Sequence, residues 1–315
     1  MEKLRLIAVN YRELGEKIAQ LLEIKCDYPE IIGYPNHCIE VKLPTEVRDC
    51  WTFILFTSLP SRILYRQIWE TILTINAAHQ SFARETVLVM PYFSYARSDK
   101  KEGRMGIAAS LKIGAFKNAG MTHAMVIDLH APQVEGFFGP LGRVDHFQVL
   151  KLLLEHLQKQ DIDQKNTIVL PDDSHALKRA ELIGQTLKVA VGSVEKIRIS
   201  SERVRIKSVK GAIKNKTVII CSDEILTGGT MSSIVRKIEK KAARVIIVAT
   251  HGLFVGKAVQ RLSHPLIKKI IVSDTVPIKR RVSEKLPIEI VSVAPFLASV
   301  IKQIYEGKSM SQFFH

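Results

Sequence analysis

The sequence predicts an α/β protein of two domains, each a mostly parallel central sheet flanked by helices, and three observations predict it. Short apolar runs rich in β-branched residues recur along the 315 residues, segments with apolar residues every three or four positions lie between many of them, and the alternation runs through twice. Short runs suit strands buried on both faces, and strands alternating with helices build parallel sheets covered on both sides. A chain this long also exceeds the usual size of one hydrophobic core.

In chain order, the strand candidates of the first half are "LRLIAVN" (4–10), "TFILFTS" (52–58), "TVLVMPYF" (86–93) and "AMVIDLH" (124–130). The second half offers "TIVLPDD" (167–173), "TVIICSD" (217–223), "RVIIVATHG" (244–252) and "KIIVSD" (269–274). Helical spacing marks "SRILYRQIWETILTINAAHQSF" (61–82) and "MSSIVRKIEKKAA" (231–243). The junction is expected near "GRVDHFQVLKLLLEHLQKQ" (142–160), read as a polar turn leading into a long amphipathic helix. The expected domains are 1–145 and 146–315, with the C-terminal tail free to pack back on the N-terminal domain.

With 46% hydrophobic and 24% charged residues, the composition is that of a globular protein and excludes a disordered chain. The net charge of +15 calls for polyanions, with nucleic acid, anionic lipid and phosphorylated metabolites all open. Cys26, Cys38, Cys50 and Cys221 form no C-x-x-C pair and are too sparse for a disulfide framework, which suits a reducing compartment. The opening "MEKLRLIAVN" is too short in apolar residues for a signal peptide, and no segment approaches the roughly 20 apolar residues of a membrane span. An unprocessed cytoplasmic protein without a membrane partner is expected.

In parallel α/β sheets, ligands bind beyond the carboxyl ends of the strands. Polar residues follow the apolar runs at those places: Arg97 and Asp99, Asp128 and His130, Asp172 and Asp173, Asp223 and Glu224. After Glu224 the chain turns through Thr227, Gly228, Gly229 and Thr230 before a helix expected at about Met231. Glycines let backbone amides approach an anion and threonine hydroxyls add donors, so this turn reads as a cradle for one phosphate. Carboxylates just upstream would repel that phosphate and are better matched to the hydroxyls of a sugar bearing it. The plainer reading of the turn is a strand-to-helix connection with an N-cap.

An apolar strand, two acids, two residues, then Thr and Gly resembles the 5-phosphoribosyl loop of the type I phosphoribosyltransferase fold. "PYFSYARSDKK" (91–101), "DLHAPQVEGFF" (128–138) and "ATHGLFVGKA" (249–258) are similar to segments of ribose-phosphate pyrophosphokinases, in the same order. The likeness covers nearly the whole chain. It implies two phosphoribosyltransferase-like domains and transfer of the diphosphoryl group of ATP to the 1-hydroxyl of ribose 5-phosphate, with Mg2+ as cofactor and a homo-oligomer, dimer or hexamer. By the same resemblance Arg97, Ser98, Asp99, Tyr34 and Asn36 would bind ATP. Asp223, Glu224, Thr227, Gly228, Gly229 and Thr230 would bind ribose 5-phosphate, and His130 and Asp172 would hold the metal.

Lys196 with Arg198, and Arg203, Arg205 and Lys207, stand at alternate positions, so an extended chain projects each set from one side as two basic ribbons. In the family a Lys-x-Arg pair lies on a mobile hairpin that closes over ATP, and this makes Lys196 and Arg198 the catalytic candidates. His251 is expected to support its loop structurally.

The sequence departs from the family pattern at several places. Ser222 and Leu226 replace acids of the ribose loop, and Glu224 is an acid shifted by one position. Asn36 and Cys38 stand in place of acids near the adenine, Ser98 in place of glutamine, and "DSHALKRA" lacks the glycines usual in its turn. A weakly active homologue that binds phosphoribosyl ligands or regulates a sister subunit, and an RNA-binding regulator on the same fold, are the competing readings.

Overall fold

A computed structural model describes residues 2–140, 142–160, 162–198 and 204–314; the side chains of Arg198 and Val204 lie outside this description, as does Arg203 of the second basic ribbon. The chain divides into two compact units, Met1–Gln148 with Val293–His315, and Val149–Ser292.

In the first unit, strand β1 (Leu4–Ala8) leads through α1 (Arg12–Leu22) to β2 (Cys26–Asp27). An antiparallel hairpin follows, β3 (Glu30–Gly33) with β4 (Ile39–Lys42), and then β5 (Trp51–Leu55), α2 (Leu64–Gln80), β6 (Glu85–Met90), α3 (Ala108–Asn118), β7 (His123–Ile127), a 3-10 segment Pro132–Phe138 and β8 (Arg143–Phe147). Among the described residues, the sheet runs β2-β1-β5-β6-β7-β8 with every neighbouring pair parallel. Ile54, Leu88 and Ala124 face a core shared with Ile75, Ile113 and Phe116 from α2 and α3.

The second unit begins with α4 (Leu150–Gln158), β9 (Thr167–Pro171), α5 (Leu177–Leu187) and β10 (Ala190–Val191), followed by the antiparallel hairpin β11 (Ser193–Arg198) and β12 (Val204–Lys210). Then come β13 (Thr217–Ile225), α6 (Gly229–Ile238), β14 (Arg244–Gly252), α7 (Ala258–Leu262), β15 (Ile267–Ser273), α8 (Arg280–Ser283) and β16 (Ile288–Val291). The sheet order is β10-β9-β13-β14-β15-β16, again parallel at every described pair. Strand alternation divides its apolar residues: Ile168, Val218 and Ile220 meet Ile234 and Leu262 on one face, and Val169, Ile219 and Cys221 meet Leu153 and Ile183 on the other.

Helix α9 (Ala294–Tyr305) returns the chain to the first unit, where it lies against α1. Its Phe296 and the tail residue Phe314 flank Phe147 of β8, with ring centroids 5.4 and 5.2 Å away. Among the described residues no helix is long and apolar enough to cross a membrane.

One expectation needs correcting. Residues 143–147, read as a polar turn, form the edge strand β8, and the helix after it, α4, spans 9 residues. An edge strand is hydrogen-bonded on one side only, so Arg143, Asp145 and His146 can share it with Val144 and Phe147 without an apolar run to announce it.

Candidate active site

In the second unit the strand ends gather acids, a lysine and the glycine turn. Asp172 and Asp173 follow β9, and the Asp172 N–H donates to the Cys221 carbonyl at 3.0 Å, which extends the pairing with β13 past the strand. Asp173 is saturated: its Oδ1 accepts the N–H groups of His175 and Ala176 at 2.9 and 3.1 Å, and its Oδ2 pairs with Lys196 Nζ at 2.7 Å. Burial pushes the Asp173 carboxyl up, but the hydrogen bond and charge of Lys196, with the Ala176 N–H, outweigh it and hold the group below its ordinary value.

Asp172 behaves in the opposite sense. Burial, then the like charges of Asp173 and Asp223, raise its pKa to about 7, against the lowering by Ser222 and Lys196. The Ser222 hydroxyl lies 2.8 Å from Asp172 Oδ2 and 3.2 Å from Asp223 Oδ1, so the serine standing where the family pattern has an acid links two carboxylates instead of adding a third. Asp223 Oδ1 also accepts the Glu224 N–H at 2.9 Å. Glu224 itself is 8% exposed and, by strand alternation, points to the face opposite Asp223.

Past β13 the turn places Gly228 at φ 67, a left-handed conformation that glycine adopts without the Cβ penalty, directly before α6. Thr227 and Thr230 flank the two glycines, partly exposed. The first amides of a helix lack intrahelical partners, so this start offers donors to an anion.

Lys196 reaches Asp173 from the hairpin. It lies opposite Ile206 in the ladder, whereas Ile197 lies opposite Arg205, so Lys196 and Arg205 are on different faces of the hairpin. A register shift at Glu195/Lys196 marks a bulge, and Lys207 is paired with Glu195 at 2.7 Å. The backbone of Arg198 ends β11. His251, buried at 2%, has Nδ1 2.9 Å from the Thr275 hydroxyl.

In the first unit, the turn after β6 carries Arg97 exposed to solvent. Ser98 is engaged locally: its hydroxyl accepts the Ala108 N–H at 3.1 Å and its carbonyl the Ala109 N–H at 3.3 Å, fixing the start of α3 to the turn. Asp99 accepts a hydrogen bond from Gln133, which joins this turn to the segment after β7. There Asp128, 4% exposed and at φ 41, donates its N–H to Phe147 O at 2.9 Å. The Leu129 N–H donates to His146 Nε2 at 2.9 Å, so the His146 proton sits on Nδ1, which faces Glu135 at 2.5 Å. His130 follows, partly buried. Tyr34 and Asn36 lie at the tip of the β3–β4 hairpin; the Tyr34 hydroxyl donates to Glu40 at 2.8 Å and Asn36 Oδ1 accepts the Cys38 N–H at 3.1 Å. Sequence reasoning missed the roles of His146, Glu135, Ser222 as a linker, and Arg261, which donates to the Thr227 carbonyl at 3.1 Å. No local pattern announces any of them.

Among the described residues no group of three or more His, Cys, Asp or Glu is arranged to hold a metal ion. Asp172 nevertheless fits a divalent cation held jointly with phosphate oxygens. One of its oxygens has only the Ser222 hydroxyl as partner among the described residues, and its pKa is raised first by burial and then by the like charges of Asp173 and Asp223, which a cation would offset.

Two parallel α/β units with acids, cations and a glycine turn gathered past the strand ends define a phosphate-handling α/β enzyme. Residues 4–120 match the family model of the N-terminal domain of ribose phosphate pyrophosphokinase, and residues 196–315 that of the phosphoribosyl synthetase-associated domain. The ribose-phosphate pyrophosphokinase of Aquifex aeolicus is 32% identical over 317 residues, covering 100% of both chains. That of Deinococcus radiodurans is 32% identical, covering 96% of this chain and 95% of the relative. The crystal structure of phosphoribosylpyrophosphate synthetase from Mycobacterium smegmatis superposes with a TM-score of 0.87 at 31% identity, covering 97% of this chain and 99% of that one. The chain belongs to the ribose-phosphate pyrophosphokinase family.

Proposed function

We propose that this chain is a ribose-phosphate diphosphokinase. The 1-hydroxyl oxygen of ribose 5-phosphate attacks the β-phosphorus of ATP, the bond from that phosphorus to the α,β-bridging oxygen breaks, AMP leaves, and the hydroxyl proton passes to solvent. The observation that carries the reading is the end of β13 in the second unit, where Asp223 lies beside a glycine turn opening α6 and, like Lys196, close enough to act on the charge of Asp172.

Thr227, Gly228, Gly229 and Thr230 hold the 5-phosphate through backbone amides and hydroxyls, and Asp223 accepts from the ribose hydroxyls. Glu224, buried behind the strand, supports Asp223 from the opposite face. Lys196 and Arg198 provide positive charge to the migrating diphosphoryl group, which is where phosphoryl transfer gains most from a protein. To do so Lys196 exchanges Asp173 for the phosphate oxygens.

In the first unit Arg97 grips phosphate oxygens of ATP, while Ser98 and Asp99 hold the turn that presents it, and Tyr34 and Asn36 line the nucleotide from their hairpin tip. His130 there would hold Mg2+ complexed to ATP, and Asp172 would be a separate metal-associated position of the second unit. When bound, the ion neutralises charge on the ATP oxygens. The protein acts in the cytoplasm as a homo-oligomer.

The test is a mixture of purified protein, ATP, Mg2+ and ribose 5-phosphate. AMP release that requires the sugar is expected. Absence of AMP, with ribose 5-phosphate still bound, would replace this reading by that of a regulatory homologue.

A further inference from the structure

We propose that Arg261, on α7, is a further residue of the sugar-phosphate site, whose guanidinium fixes the turn Thr227–Thr230 and selects a pentose bearing a dianionic 5-phosphate. The inference rests on the assignment of that turn to ribose 5-phosphate.

Helix α7 forms the wall behind the turn. A Cβ added at Gly228 would come within 2.9 Å of Leu262 Cγ, and Leu262 is fully buried, so the first glycine is seated against this helix. The residue before it, Arg261, sends Nη1 to the Thr227 carbonyl at 3.1 Å across 34 positions of sequence. That bond orients the peptide leading into the two glycines, and with it the amides that follow.

The second glycine shows where the charge is directed. A Cβ placed on Gly229 would lie 3.4 Å from Arg261 Nη1 and 3.6 Å from Thr227 Oγ1. The space left by the missing side chain is therefore bordered by a guanidinium nitrogen and a hydroxyl, beside the first amides of α6. All three are hydrogen-bond donors. A second phosphate charge is the complement such a border favours, because a guanidinium presents several donors in one plane and keeps its charge at every relevant pH.

Among the described residues the same guanidinium has no carboxylate paired with it. Lys196, Lys207 and Arg280 each pair with a carboxylate, whereas among the described residues Arg261 has the Thr227 carbonyl as its partner and no acid. It is partly buried, so solvent compensates it incompletely, and an arriving phosphate would do so. Arg261 is thus a positioning residue through Thr227, and the Nη1 that makes this bond also borders the space at Gly229.

Calorimetric titration of the full chain with ribose 5-phosphate, and with ribose as the uncharged control, tests this without relying on turnover. Arg261→Gln is expected to weaken ribose 5-phosphate binding about tenfold, Arg261→Lys about threefold, with the calorimetric affinity for ATP unchanged. Gly229→Ala, whose Cβ meets ordinary contact distances, should fold normally and weaken the sugar phosphate to a similar degree. Ribose 5-phosphate binding by Arg261→Gln within about twofold of the unmodified protein would overturn the proposal. Equal losses in the Gln and Lys variants, or wild-type binding by Gly229→Ala, would overturn it as well. If the unmodified protein binds ribose 5-phosphate and releases no AMP, diphosphoryl transfer fails while Arg261 stands or falls by these titrations.

Discussion

The two units repeat one scaffold and differ at its tips. Among the described residues each has six parallel strands in the same spatial order, and in each an antiparallel hairpin interrupts the chain between the short edge strand and the third strand of the sheet, which pairs with the unit's first strand: β3–β4 before β5, β11–β12 before β13. Asn10, two residues past β1, closes the first unit's loop by accepting the Thr57 N–H and donating to the Thr57 carbonyl, at 3.2 and 2.8 Å. Asp173, two residues past β9, instead pairs with the hairpin lysine. Where β13 runs on into Asp223 and a glycine turn, β5 stops at Leu55 before "FTSLPS". The first unit also buries a cation, in addition to the carboxylates Asp27 and Asp128. Lys112 of α3 is 5% exposed among Phe56, Phe93 and Phe116, bonded to the Ser58 and Ser94 hydroxyls at 3.0 and 3.1 Å, whereas the second unit concentrates carboxylates. The sheets are thus interchangeable as supports, and chemistry is decided by a few residues past the strand ends.

The largest expected effect separates the two hairpins. Lys196→Ala should lower kcat by on the order of 100-fold or more while leaving both KM values near their original levels, since an interaction made mainly in the transition state does not support ground-state binding. A change confined to KM would remove Lys196 from its proposed role and make the hairpins equivalent.

Asp173→Asn leaves the partly buried Lys196 without its ion pair and should destabilise the second unit by about 1–2 kcal/mol. Amide exchange across 193–198 should quicken in that variant. Unchanged exchange would mean that Asp173 does not restrain the hairpin.

Lys112→Met probes the buried cation of the first unit. Desolvation holds the Lys112 pKa well below 10.5, so between that lowered value and 10.5 the unfolded chain binds more protons and stability rises with pH. At pH 7 the methionine variant should be more stable by about 1 kcal/mol or more, and the gap should close towards pH 10.5. Denaturant titrations at pH 7 and pH 10 measure it, and a gap that stays constant would show that Lys112 is compensated.

Tyr34→Phe should change least. It removes one exposed hydrogen bond to Glu40, and the denaturant midpoint should stay where it is in the unmodified protein. A lowered midpoint would give the β3–β4 tip a structural weight that its exposure does not suggest.

Much of this arrangement was legible before any coordinates. The eight inner strands announce themselves because burial on both faces demands continuous apolar runs, as in "VIIC" of β13 and "VIIVA" of β14. The edge strands β2, β8, β10 and β16 do not, being short or mixed in polarity. That Asp172, Asp223 and the turn Thr227–Thr230 lie at the carboxyl ends of their strands was legible for a related reason, since these residues directly follow or end apolar runs. Ser98 illustrates what was not: its hydroxyl serves the start of α3, a partner ten residues on that no spacing rule names.

By itself, the sequence determined the class of fold, the strands that carry the acids, and the glycine turn, because each rests on local periodicity or on residues adjacent in the chain. The tertiary structure alone decided that Asp172 and Asp173 carry opposite pKa shifts, that Ser222 joins two carboxylates, and that Arg261 stands beside Thr227. Those outcomes depend on burial and on charges brought together from distant parts of the chain, and both quantities come into existence only when the sheet and its helices have packed.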